Sequence, residues 1–329
     1  MSSGSAGRVT RSAIVPESET APRTRVRAFL RTADGVAIDA VYEPAAAVYE
    51  PGAAAPGHGR HQGHDRDHDH DHDFVFVIAH GFTGDLDRPH VRRVAQVFAR
   101  YGAVVTFSFR GHGAAGGRST VGDREVLDLA AAVAWARGFG HARVATVGFS
   151  MGGSVVLRHG ALHGAEGTAA GSVDGAAAGV EGVEGVEGAG VSEGEGRAEA
   201  LTDAVVSVSA PARWYYRGTA PMRRLHWLVM RPEGRLLSRY GLRTRIHHRE
   251  WDPVPLSPVE AVPRIAPTPL LIVHGDRDGY FPLDHPRMLA EAAGDHGELW
   301  LEPGMGHAEN AAADELLHRI ARWVLARAG

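Results

Sequence analysis

The sequence predicts an α/β fold: a mostly parallel sheet of eight strands flanked by helices, with a small cap inserted after the sixth strand. Three observations carry this reading. Short β-branched runs alternate with longer stretches of helical composition along most of the chain. Gly148-Phe149-Ser150-Met151-Gly152 stands directly between one such run, Arg143–Val147, and a helical stretch. The alternation breaks once, between Pro211 and Pro255, in a segment dense in aromatic residues and arginine.

Residues 1–23 have the Ser/Gly/Thr-rich composition of a disordered tail. The first two strands, Thr24–Thr32 and Ala37–Tyr42, are joined by Ala33-Asp34-Gly35, a hairpin signal, so they are expected to pair antiparallel. Further strands are predicted at Phe74–Ala79, Ala103–Phe109, Arg143–Val147, Ala204–Val208, Pro269–Val273 and Glu298–Leu301. Helices are predicted at Pro89–Tyr101, Asp123–Gly138, Met151–Leu162, His285–Ala293 and Ala312–Ala328. Strands joined by helical crossovers run parallel and are buried on both faces. Two low-complexity stretches, 44–73 and 163–199, read as solvated loops. The first carries a His/Asp run at 58–73 and the second the repeat Val180-Glu181-Gly182, Val183-Glu184-Gly185, Val186-Glu187-Gly188. Neither has the periodicity or apolar content to bury a face. What remains of 24–329 is one domain of roughly 240 residues.

Of the 329 residues, 44% are hydrophobic, enough for a substantial core, and the net charge of −4 gives no electrostatic reason to expect a nucleic-acid partner. The absence of cysteine excludes disulfides, thiol chemistry and Cys-based zinc sites. No apolar run reaches the ~20 residues of a membrane span, and the first residues hold no signal-peptide core. A soluble cytoplasmic protein is expected.

The candidate site lies at the carboxyl ends of the strands, where open parallel sheets place their working groups. The glycines around Ser150 allow a sharp strand-to-helix turn that exposes the serine hydroxyl and points backbone N–H groups at one spot. His80-Gly81-Phe82-Thr83-Gly84 follows the third strand. The N–H of Phe82 could join that of Met151 as an oxyanion hole, or the segment could be a simple turn. His274-Gly275-Asp276-Arg277-Asp278 follows the seventh strand, and Gly304-Met305-Gly306-His307 the eighth. A serine nucleophile needs a base, and the base needs a carboxylate to fix its tautomer. Ser, Asp and His, each at a strand end, supply those roles.

In these motifs the chain resembles the α/β-hydrolase superfamily from about Arg25 to Ala328, apart from the two low-complexity stretches. His80-Gly81-Phe82 matches the oxyanion motif, Gly148 to Gly153 the nucleophile elbow, His274, Gly275, Asp278 and Pro282 the acid motif, and Gly304 to His307 the histidine motif. The resemblance implies that Asp278 rather than Asp276 is the acid. It also implies acyl transfer through a covalent Ser150 ester, with His307 as base and then acid, and no need of a metal or organic cofactor. Phe109-Arg110-Gly111-His112-Gly113 fits a further family segment, although Ser108 stands where relatives carry aspartate, a change expected to weaken one supporting contact.

The implied activity is hydrolysis of a small carboxylic ester or thioester. Serine peptidase, lysophospholipase and acyltransferase use the same three residues, and a catalytically silent binding module would share the fold. Trp214, Tyr215 and Trp227 in the cap, taken as 211–255, are candidate substrate contacts; the alternative is ordinary cap packing. Imidazole and carboxylate at 58–73 suit zinc, nickel or copper, but alternate spacing along a loop does not preorganise a site, so no metal site is assigned. His80, His112 and His274 read as structural histidines.

Overall fold

The computed structural model describes residues 24–46, 74–163 and 200–328. The expected tail 1–23, residues 47–73 with the His/Asp run, and 164–199 with the triplet repeat lie outside the described residues.

Eight strands form one sheet in the order β1-β2-β4-β3-β5-β6-β7-β8. β1 (Val26–Arg31) and β2 (Ala37–Glu43) form the expected hairpin, and β2 also pairs antiparallel with β4 (Ala103–Phe107). All other neighbours are parallel: β3 (Phe74–Ala79), β5 (Arg143–Phe149), β6 (Ala204–Val208), β7 (Leu270–Gly275) and β8 (Gly297–Glu302). Every residue of β3, β4, β6 and β7 is buried, as continuous apolar runs covered on both faces must be.

The helices divide between the two faces. On one, α2 (Glu125–Arg137), α3 (Met151–His163) and α7 (Asp284–Ala293) bury residues such as Leu129, Val155 and Leu289 against the sheet. On the other, α1 (Pro89–Phe98) and the C-terminal α9 (Asp314–Arg327) bury Val94, Phe98, Leu317 and Ile320. A short α6 (Pro258–Ala261) precedes β7, and a single turn, α8 (Ala308–Ala311), precedes α9.

The segment between β6 and β7 holds two helices that the sequence did not announce, α4 (Ala220–Met230) and α5 (Pro232–Gly241). Proline stands in the first turn of each, where its missing N–H costs no hydrogen bond, and the Thr219 hydroxyl accepts the amide of Met222 at the start of α4. Elsewhere the predicted boundaries shift by a few residues. The fourth strand ends at Phe107, although the amide of Ser108 still donates to the carbonyl of Asp39 (2.8 Å), and β5 runs on through Phe149 into the elbow.

Candidate active site

Ser150 occupies the turn between β5 and α3 with φ of 52°, a left-handed conformation that a serine adopts only under tertiary constraint. Its amide donates to the carbonyl of Val208 at the end of β6, 2.8 Å away. The turn depends on two glycines. A Cβ on Gly148 would run into the carbonyl of Gly152, and one on Gly152 into the carbonyl of Ala79 at the end of β3.

The loops after β7 and β8 are tied to each other before they meet the serine. The amide of Arg277 donates to Met305 (3.0 Å), and that of Gly304 to the Asp276 carboxylate (2.6 Å). Asp278 is enclosed; one carboxylate oxygen accepts the amides of Tyr280 (2.8 Å) and Phe281 (3.1 Å), and the other lies 2.8 Å from His307 Nδ1. His307 Nε2 is 2.9 Å from Ser150 Oγ. A proton held on Nδ1 by the carboxylate leaves Nε2 as the acceptor facing the serine hydroxyl. Burial opposes the charge on Asp278, yet the hydrogen bond and charge of His307 and the two amides together hold its carboxyl below the usual range. The structure therefore brings together Ser150, Asp278 and His307, and leaves Asp276 as a tether for the histidine loop.

Several residues that the sequence reading did not single out complete the frame. The ring of Tyr280 stacks on His307 at 4.2 Å between centroids, and Phe281 meets it edge-on at 5.6 Å. The hydroxyl of Ser209 accepts the amide of Ala308 (3.1 Å), anchoring the histidine loop to the end of β6. Glu309, nearly fully buried, accepts the amide of Gly81 (3.1 Å) and stands 3.6 Å from His90. An acid two residues beyond the histidine was its one trace in the sequence.

The loop after β3 is braced by His80. Its Nδ1 donates to the carbonyl of Gly81 (2.7 Å), and its Nε2 accepts the amide of Phe109 (3.1 Å), so the ring is used as a neutral tautomer. Burial, reinforced by the nearby His112, pushes its pKa down to about 3. Ser108 does not leave this loop unsupported, because its hydroxyl accepts the amide of Leu86 (3.1 Å). Arg110 is clamped by carboxylates of Asp34 and Asp128, with contacts of 2.7 to 3.0 Å.

Beside Ser150 lies a cavity of about 200 Å³, bordered by Phe82 and Met151 and walled largely by apolar side chains. Trp214 and Tyr215 both line it; their rings pack with Trp251, whose indole N–H donates to the carbonyl of Thr120 (2.7 Å). Trp227 does not line it. Residues 222, 225, 226 and 229 form the inward stripe of α4, and that helical phase turns Trp227 outward, 47% exposed. The opposite wall, Ser119 to Val121, is shaped by buried Glu125, which accepts the hydroxyls of Ser119 (2.8 Å) and Thr120 (2.6 Å) and the amide of Gly122 (3.0 Å). Among the described residues no cluster of three or more His, Asp or Glu side chains could hold a metal, and no helix is long and apolar enough to cross a membrane.

Residues 74–319 match the profile of the Alpha/beta hydrolase family. Among solved structures, the Pyrococcus furiosus esterase Pf2001 superposes with a TM-score of 0.59 at 20% identity, covering 97% of this chain and 97% of that one. The alpha/beta hydrolase GrgF from a Penicillium species gives a TM-score of 0.55 at 16% identity, over 92% of this chain and 98% of that one. XC6422 from Xanthomonas campestris, described as a serine hydrolase without a lid, gives 0.52 at 16% identity over 93% and 96%. At these identities the likeness is one of fold.

Proposed function

We propose, from the premise that this chain belongs to the Alpha/beta hydrolase family, that it hydrolyses a small carboxylic ester or thioester through an acyl-Ser150 intermediate. The observation that carries the reading is the continuous line Ser150 Oγ, His307, Asp278, with contacts of 2.9 and 2.8 Å. Ser150 Oγ attacks the acyl carbon while its proton passes to His307 Nε2, and Asp278 stabilises the resulting imidazolium. The amides of Phe82 and Met151 would receive the negative charge on the carbonyl oxygen. Met151 opens α3, so its N–H has no acceptor within the helix. His307 then protonates the departing alkoxide or thiolate. Water, deprotonated by the same histidine, frees the acid and restores Ser150.

The apolar wall of Trp214, Tyr215, Met222, Leu225 and Val229 suits an acyl chain better than a charged group. Esters of p-nitrophenol with increasing acyl length give the length preference. Labelling with a fluorophosphonate tests the nucleophile: Ser150→Ala is expected to abolish labelling and to lower turnover by roughly a thousandfold or more with the fold intact. Near-normal hydrolysis by that variant would overturn the reading.

A further inference from the structure

We propose that the outer face of the cap docks on an anionic membrane surface, inserting apolar side chains from α4 and α5 and setting arginines against lipid phosphates and carboxylates. Docking needs neither Ser150 nor turnover, so it stands apart from the hydrolase reading.

The first observation is a concentration of exposed apolar side chains on two consecutive helices. On α5, Leu236, Leu237 and Tyr240 are 60%, 55% and 71% exposed. Their spacing places them on one side of the helix, opposite buried Gly234 and Ser238. On α4, Trp227 is also exposed, on the side of the helix away from the cavity. Large exposed apolar groups clustered in this way mark a contact surface rather than the ordinary scatter of a protein exterior.

The second observation is charge. From 211 to 255 the chain holds ten arginines against three acids, Glu233, Glu250 and Asp252, although its overall net charge is −4. Among the described residues only Arg213 of the ten pairs with a carboxylate, that of Asp284 at 2.7 Å. Arg223, Arg224, Arg231, Arg239 and Arg243 are exposed around the apolar side chains, and the Arg239 guanidinium lies over the ring of Tyr240 at 5.4 Å. Basic residues ringing Trp, Leu and Tyr are the composition of a helix that lies in a membrane interface. The same arginines would repel one another across a cap-to-cap dimer, whereas an anionic bilayer attracts them all. The acidic remainder of the chain is repelled by such a surface, which orients the cap toward it.

The third observation is position. The inner side of α4, through Met222, Leu225 and Val229, borders the cavity beside Ser150. On α4, one helix thickness separates Trp227 from the space an acyl chain would enter.

Sedimentation of the full chain with vesicles tests the proposal. Vesicles of phosphatidylcholine containing about 30 mol % phosphatidylserine should bind at least about tenfold more protein than phosphatidylcholine alone, and about 0.5 M NaCl should release it. The triple variant Leu236→Ser, Leu237→Ser, Tyr240→Ser and the double variant Arg239→Ala, Arg243→Ala should each weaken binding by roughly tenfold. None of these side chains lines the cavity, so the melting temperature and kcat/KM for a soluble p-nitrophenyl ester should be unchanged. Ser150→Ala should bind vesicles like the parent, which separates failure of docking from failure of the hydrolase reading. Equal or absent binding to the two vesicle types, or binding that both variants retain, would overturn the proposal. A vesicle-independent dimer dissolved by the triple variant would overturn it in favour of self-association.

Discussion

The carboxylate of Glu309 accepts the backbone amide of Gly81 at 3.1 Å, linking the loop that carries His307 to the loop that carries Phe82. A Cβ built on Gly81 would lie 3.2 Å from this carboxylate and 3.5 Å from the Cβ of Ser150. Glu309 is thereby placed to hold the loop of the candidate oxyanion donor beside Ser150, and it does not line the cavity.

Glu309→Gln keeps an acceptor for Gly81 and should lower kcat by less than about tenfold, whereas Glu309→Ala leaves a buried amide unpaired and should cost about a hundredfold. Because the loss concerns positioning of the oxyanion donor, it should fall on kcat with KM little changed. A KM effect with kcat intact would assign Glu309 to substrate binding instead.

The two aspartates after β7 have different work. Asp278 meets His307 directly, whereas Asp276 holds the amide of Gly304 at the rim of the histidine loop. Asp278→Asn should lower kcat by about a thousandfold or more, since an amide cannot hold the His307 tautomer or stabilise the imidazolium. Asp276→Asn retains a carbonyl acceptor and should cost less than about tenfold. Steady-state rates of the two variants decide the assignment, and a reversed order would refute it.

Serine, aspartate and histidine were legible because each sits just past a strand of strong β character, so the sheet alone brings them to one edge. Glu309 and Glu125 were not legible. Their roles arise from contacts with Gly81, 228 residues away in sequence, and with a turn whose shape the sequence does not specify. Trp227 was misread because its neighbours were not recognised as a helix. Once α4 is seen to start at Ala220, the inward positions are Met222, Leu225 and Val229, and the tryptophan of that helix faces outward. Ser108 offers the converse case, since a hydroxyl supplies the acceptor for Leu86 where a carboxylate was expected.

Buried histidines should make the fold acid-sensitive. Burial pushes the pKa of His80 down to about 3, and those of His112 and His285 down to about 4. In the unfolded chain each takes up a proton near pH 6.5. Between those values the unfolded state binds more protons, so stability is fully present above about pH 6.5 and falls as pH drops toward about 4. One such group costs about 2 kcal/mol at pH 5. Urea unfolding at pH 7 and pH 5 should show the loss, and His112→Asn, which keeps a donor for the carbonyl of Arg110, should reduce it by about that amount. A pH-independent midpoint would contradict this account.

The stretch 164–199 joins the end of α3 to the start of β6, and the fold tells where its anchors lie. From Ser150, α3 runs back along the sheet for thirteen residues, about 20 Å, so His163 reaches the edge where the strands begin. β6 starts at Ala204 at that same edge, while Ser150, Asp278 and His307 occupy the opposite one. Loop-closure entropy changes only slowly with length. Replacing 164–199 by a short Gly/Ser linker should therefore keep kcat/KM within about twofold and the melting temperature within about two degrees of the parent. Differential scanning fluorimetry and ester turnover on the shortened chain measure both. Loss of most activity or of several degrees would mean that the stretch packs on the domain or reaches the cavity.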